Sequence, residues 1–122
     1  MKQFQTREEL LQDAINYYWG RPERRCVNEY GDCQYIASAT SEGCAIGRLL
    51  TPELAESLNP NSGIFDNNVW CRLPSWLEAM GQDFLHYMQR LHDGQYFVNR
   101  SEYQVNSYME TFVDMNIITF PE

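Results

Sequence analysis

A chain of 122 residues is the size of one domain, long enough to bury a genuine core and too short for two independent ones, so residues 1–122 are expected to fold as a single unit. Its 43% hydrophobic and 21% charged residues are too apolar a mixture for a disordered chain, and seventeen acidic against nine basic side chains give a net charge of −8. That charge repels nucleic-acid phosphates and anionic membrane surfaces, and the lack of any long apolar run or signal-peptide core leads to the expectation of a cytosolic protein with no membrane span.

The first element is a helix beginning at Thr6, where Thr6, Arg7, Glu8 and Glu9 have the form of a capping box. Leu10, Leu11, Ala14, Ile15 and Tyr18 recur at helical spacing and mark its buried face, while Gly20 and Pro22 predict a stop near Trp19. Residues 21–25 then hold three of the nine basic side chains, Arg21, Arg24 and Arg25, beside Tyr17, Tyr18 and Trp19. Guanidinium groups among aromatics can hold a phosphate or stack a base. Cations at a helix C-terminus also offset the helix dipole, and the acidic whole favours that plainer role. If the chain works by association, Trp19, Arg21, Arg24 and Arg25 are its candidate binding residues, because Trp and Arg dominate hot spots.

Residues 33–39 are β-prone around Tyr35 and Ile36, a turn follows at residues 40–43, and Cys44, Ala45 and Ile46 complete a predicted hairpin. Its alternating register brings Cys33 and Cys44 within reach of each other as thiols. The four cysteines, Cys26, Cys33, Cys44 and Cys71, come without a secretion signal and without C-x-x-C or H-x-x-x-H spacing, so neither a disulfide framework nor a metal or other cofactor is expected. Gly47 releases the strand, and Thr51 caps a short helix with Pro52 at its first position, where the missing N–H costs nothing. This junction is similar in outline to a nucleophile elbow. Cys44 lies several residues ahead of the helix, however, beyond the dipole that activates such thiols, and is expected to be a packed small side chain.

A polar connection runs over residues 59–68 and up to Val69 and Trp70. A second amphipathic helix is predicted from about Pro74, with Leu77, Met80, Phe84, Met88 and Leu91 on its buried face, Gly81 as a kink and Gly94 as the stop. His92 and Asp93 near its end could act as a base and its orienter. Neighbours in a helix point about 100° apart and are not expected to bond each other, which leaves His92 near the helix dipole and Asp93 bonding loop backbone. A last helix is capped by Ser101 with Gln104 and carries Val105, Tyr108, Met109, Phe112 and Val113, with Asn116 just past its end. The β-prone tail Ile117, Ile118, Thr119 and Phe120 adds a strand beside the hairpin. The expected fold is α+β: mostly helical, with a small antiparallel hairpin or sheet.

Cys33-x-Tyr35, then Cys44-Ala45-Ile46-Gly47-Arg48-Leu49-Leu50 ahead of an acidic short helix, then Leu91-His92-Asp93, is an order that resembles a family of small bacteriophage and prophage proteins over residues 26–94. The resemblance implies a setting, the host cytoplasm, in which small phage proteins commonly bind a host enzyme or defence component. Three functional expectations stand side by side. The first is a non-enzymatic protein that binds and modulates a host protein through an acidic, aromatic-bearing surface. The second is a small cysteine/histidine enzyme or anion binder in which Cys44, His92 and Asp93 meet and Arg48 holds the anion. The third makes Cys33, Cys44 and His92 core and cap residues of a scaffold whose function lies on its loops.

Overall fold

A computed structural model describes residues 3–24, 45–58 and 65–121. Six α-helices and three 3-10 turns occur among them: α1 (Arg7–Tyr18), a turn at Pro22–Arg24, a turn at Gly47–Leu49, α2 (Pro52–Ser57), α3 (Asn67–Trp70), α4 (Ser75–Glu78), α5 (Gln82–Asp93), α6 (Glu102–Met109) and a turn at Met115–Ile117.

α1 forms where its capping box predicts. Thr6 is extended and its Oγ1 accepts the Glu9 N–H at 3.1 Å, so one of the helix's orphan donors is satisfied by its own sequence. The five apolar residues read from the periodicity, Leu10, Leu11, Ala14, Ile15 and Tyr18, are all fully buried. Gly20, at φ +69, turns the chain out of the helix, and its N–H donates to the Phe97 carbonyl at 3.3 Å. α2 likewise starts at Thr51, whose Oγ1 accepts from the Leu54 N–H with Pro52 at the first helical position.

The stretch predicted as one kinked helix from Pro74 is two helices. Gly81 sits at φ +98, a backbone state that ends α4 and starts α5 anew, so the i→i−4 ladder is interrupted there. Arg7 braces this break from α1: its Nε donates to the Met80 carbonyl at 2.7 Å and its Nη1 to that of Phe112 at 3.5 Å. The same guanidinium lies 5.4 Å from the Phe84 ring centroid and 5.6 Å from that of Phe112. A Cβ on Gly81 would stand 2.7 Å from Arg7 Nη2, so space and backbone both demand glycine. At the other end of α5 the left-handed residue is Gln95, at φ +65, while Gly94 keeps φ −80; glycine is needed at 94 because the Tyr96 ring covers it, 2.7 Å from where a Cβ would be.

The α+β expectation is overturned. Among the described residues there is no strand. Ala45 and Ile46, expected in the second hairpin strand, form a turn instead, with Ile46 at φ −95 and ψ −44 leading into the 3-10 turn. Residues 33–39, Cys26, Cys33 and Cys44 lie outside the described residues. The C-terminal tail also pairs with no strand: Gln12 of α1 takes the Thr119 N–H on Oε1 and donates Nε2 to the Thr119 carbonyl, each at 2.8 Å, as a neighbouring strand would. Two smaller corrections follow the same logic. Val69 and Trp70, placed at the end of a polar connection, belong to α3, which Asp66 caps through Asn68 N–H at 2.8 Å. The last helix ends at Met109, and Asn116 lies in a separate turn capped by Asp114.

The buried side chains of α1, α2, α4, α5 and α6 form one apolar cluster among the described residues, with α5 lying on α6. Arg7→Ala is expected to lower the unfolding free energy by roughly 3 kcal/mol, the sum of one charge-assisted hydrogen bond and its ring contacts. Gly81→Ala adds backbone strain, and in the double variant the losses should fall short of additive because the steric conflict with the guanidinium vanishes. Urea titrations of the single and double variants measure both.

Candidate functional site

α1 carries different chemistry on its outer face and at its C-terminal end. Trp19, at the end of α1, is buried, with its ring 4.9 Å from that of Phe120. It is thus a core residue that fastens the tail, and its indole is not a projecting anchor. Arg21 is exposed. Arg24 folds back, its Nη1 donating to the Tyr17 carbonyl at 3.2 Å and its guanidinium 4.8 Å from the Tyr17 ring centroid. Arg48 approaches the same ring at 4.7 Å, and its side chain is only 1% exposed. It pairs with Asp13 of α1, Nη1 to Oδ2, at 2.6 Å. Arg25 and Cys44 lie outside the described residues.

His92 and Asp93 depart from the expected geometry. Nδ1 of His92 lies 2.8 Å from Asp93 Oδ1, although the two are neighbours in sequence, and Gln89 Nε2 donates to the same oxygen at 3.1 Å. Both residues lie in the last turn of α5, and the contact is made through their side chains, which reach across the helical 100° step. Facing a carboxylate oxygen, Nδ1 donates. The imidazole is buried and meets the edge of Tyr18 at 5.0 Å, and Tyr18 in turn lies 4.8 Å from Tyr17. Arg24, Arg48 and His92 are therefore gathered around two adjacent tyrosines at the end of α1, on its inner side. A buried ion pair beside such rings adds little net stability, because desolvation offsets attraction; breaking one half of it is costly.

The outer face of α1 presents a feature that sequence inspection overlooked. A groove of about 440 Å³ runs between this face and the C-terminal tail. Phe4, Ile117 and Ile118 supply apolar walls, and Glu8, Glu9 and Asp13 supply carboxylates. Ile117 is 62% exposed, one of three exposed large apolar side chains among the described residues, with Phe65 and Tyr103. Glu8 also receives the Asp114 N–H on Oε2 at 2.8 Å, which ties the tail's turn to the groove wall. The signal was present as Glu8, Glu9, Gln12, Asp13 and Asn16, a polar stripe at i, i+1, i+4, i+5 and i+8 on α1. Nothing local connects that stripe to a tail over a hundred residues away.

Elsewhere, His86 has a lowered pKa, caused first by burial and then by the neighbouring Arg90 charge, against opposing pulls from Asp83 and Asp93. Phe65 covers it at 4.6 Å. No group of three His, Cys, Asp or Glu side chains is placed to hold a metal ion among the described residues, Cys71 is an exposed free thiol, and no described helix is long and apolar enough to cross a membrane.

Asp13→Ala is expected to cost roughly 2–3 kcal/mol, since it strips a buried guanidinium of its carboxylate, whereas Asp13→Leu combined with Arg48→Met should recover most of that loss; chemical denaturation reads both. His86 sets a pH dependence. Its folded pKa is below the unfolded 6.5, so the unfolded chain takes up the proton first as the pH falls. Stability contributed by neutral His86 is complete above 6.5 and declines as pH drops from there through the folded pKa. Thermal melts across that window should show the slope, and His86→Gln should remove it. Set beside known proteins, the chain matches no family model, no curated protein and no solved structure.

Proposed function

We propose that this chain is a non-catalytic binding module that takes a basic, partly apolar segment of a partner protein into the groove along α1. In the phage setting implied by the resemblance of its Cys-Ala-Ile-Gly stretch, that partner belongs to the host, and binding modulates it. The observation that carries the reading is an acidic lining beside open apolar walls. Glu8, Glu9 and Asp13 line the groove beside Phe4 and the exposed Ile117, on a chain whose net charge is −8. Cationic side chains would meet the carboxylates of Glu8 and Glu9, Asp13 being held by Arg48, while apolar ones cover Ile117 and Phe4; the overall charge would speed encounter. The competing reading, an enzyme or anion binder using Cys44, Arg48 and His92, draws less support: Arg48 is held by Asp13 and Tyr17, and His92 is buried against Tyr18.

A synthetic amphipathic peptide of lysine and leucine, and its glutamate counterpart, test the groove by calorimetry. The lysine peptide should bind, more weakly as salt rises, and Glu9→Lys or Ile117→Glu should each weaken it by about tenfold or more. A bacterial protein retained by the native chain should be released by the same two substitutions. Equal binding of both peptides, or retention unaffected by Glu9→Lys and Ile117→Glu, would sink the proposal.

A further inference from the structure

Beyond the C-terminal end of α1 the surface changes sign. A second, smaller pocket of about 260 Å³ opens there, lined by Asn16, Gly20, Arg21 and Arg100 with Glu23 beside them. Arg21 and Arg100 are both exposed, and neither guanidinium forms an ion pair among the described residues. Arg24 and Arg48, by contrast, are engaged by Tyr17, and Arg48 also by Asp13. Both residues line one recess, and an anion bound there would offset the repulsion between their two positive charges.

Gly20 leaves room for the Arg100 side chain in the recess. Gly20 and Arg100 both occupy the left-handed region, at φ +69 and φ +56, and a Cβ on Gly20 would come within 2.5 Å of Arg100 Nε. The guanidinium thus lies flat over a glycine that has no side chain to displace it. Asn16 adds polarity of the right sense. Its Oδ1 already accepts from Gln12 Nε2 at 3.0 Å, which leaves the amide N–H₂ as its available donor. The carbonyl end of α1 contributes about half a negative charge nearby, less than two full positive ones. Glu23 is the opposing group on the rim.

The geometry points to an oxyanion site in which Arg21, Arg100 and the Asn16 amide bind a phosphate group, free or as a small phosphomonoester. Guanidinium forks match the oxygens of a tetrahedral anion and form charge-assisted bonds to them. The site adjoins the proposed docking groove through Asn16, has the opposite charge, and stands whether or not that groove binds a protein.

The full chain titrated by ¹⁵N NMR with inorganic phosphate, and separately with phosphoserine, against chloride at equal ionic strength, tests this. Saturable shifts centred on Asn16, Gly20, Arg21 and Arg100 are expected, with affinity on the order of millimolar. Arg21→Gln and Arg100→Gln should each weaken binding by about tenfold and Glu23→Gln should tighten it, with far-UV circular dichroism unchanged. Saturation by phosphoserine as well as phosphate assigns a monoester; saturation by phosphate alone assigns the free ion. Shifts that never saturate, or an affinity that survives Arg21→Gln combined with Arg100→Gln, would overturn the site. Should Arg100→Gln fail to fold, Arg21→Gln and Glu23→Gln, both at exposed positions, decide the matter by the direction of their effects.

Discussion

One guanidinium, that of Arg7, stands where three parts of the chain meet. It enters from the first turn of α1, bonds the carbonyl of Met80 at the break between α4 and α5, and reaches toward that of Phe112 beyond α6. These carbonyls lie in the turns just past α4 and α6, where no helical ladder supplies a donor. A single side chain with five fixed donors serves both while lying over Phe84 and Phe112. Gly81 is the counterpart of this brace, since any Cβ would invade the guanidinium. The direction of α5, and with it the placement of His92 and Phe97 at the far end of α1, depends on that joint.

α1 consequently faces three environments at once. Its inner stripe is apolar, its outer stripe acidic, and its C-terminal end cationic, with Asp13 linking the outer stripe to the interior through Arg48. The pairing fixes which way the turn Gly47–Leu49 approaches the helix. A buried ion pair is a poor source of net stability but a strong penalty on misplacement, because either charge alone in that position is costly. Tyr17 completes the arrangement by offering a ring face to Arg48 and another guanidinium, Arg24, at nearly equal distances. The acidic first turn and the cations beyond the last also complement the helix dipole, so the charge segregation that creates two different surfaces agrees with the helix's own electrostatics.

What the sequence disclosed was what depends on near neighbours. Thr6 and Thr51 announced two helix starts because a cap and its N–H lie three residues apart, and the buried faces of α1 and α5 followed from a 3.6-residue period. Gly81 was recognised as a disturbance, but only its φ of +98, locked against Arg7, turns a kink into a break. The tail misled for a physical reason. Ile117, Ile118, Thr119 and Phe120 have β-propensity, which expresses a fit to a half-buried pleated surface more than a backbone preference; the surface on offer was a helix, and Gln12 satisfied the backbone. The His92–Asp93 contact escaped because the helical angle sets where side chains start and not how far they can reach. The groove escaped because its walls come from opposite ends of the chain.

That short tail ties the two surfaces together mechanically. Ile117 and Ile118 wall the acidic groove, Pro121 borders the arginine pocket, and between them Thr119 is held by Gln12 and Phe120 by Trp19. Trp19 and Gln12 are on the helix that floors both recesses, so the tail cannot leave α1 at one without loosening the other. The Gln12 amide is also the group that occupies Asn16 Oδ1, and Asn16 lines both recesses. A ligand that left the tail in place would find each recess formed in advance, with little ordering left to oppose binding. One that displaced it would forfeit three hydrogen bonds between Gln12 and Thr119 and the Trp19–Phe120 contact together. Binding along α1 is therefore favoured for partners that lie against the tail over those that replace it.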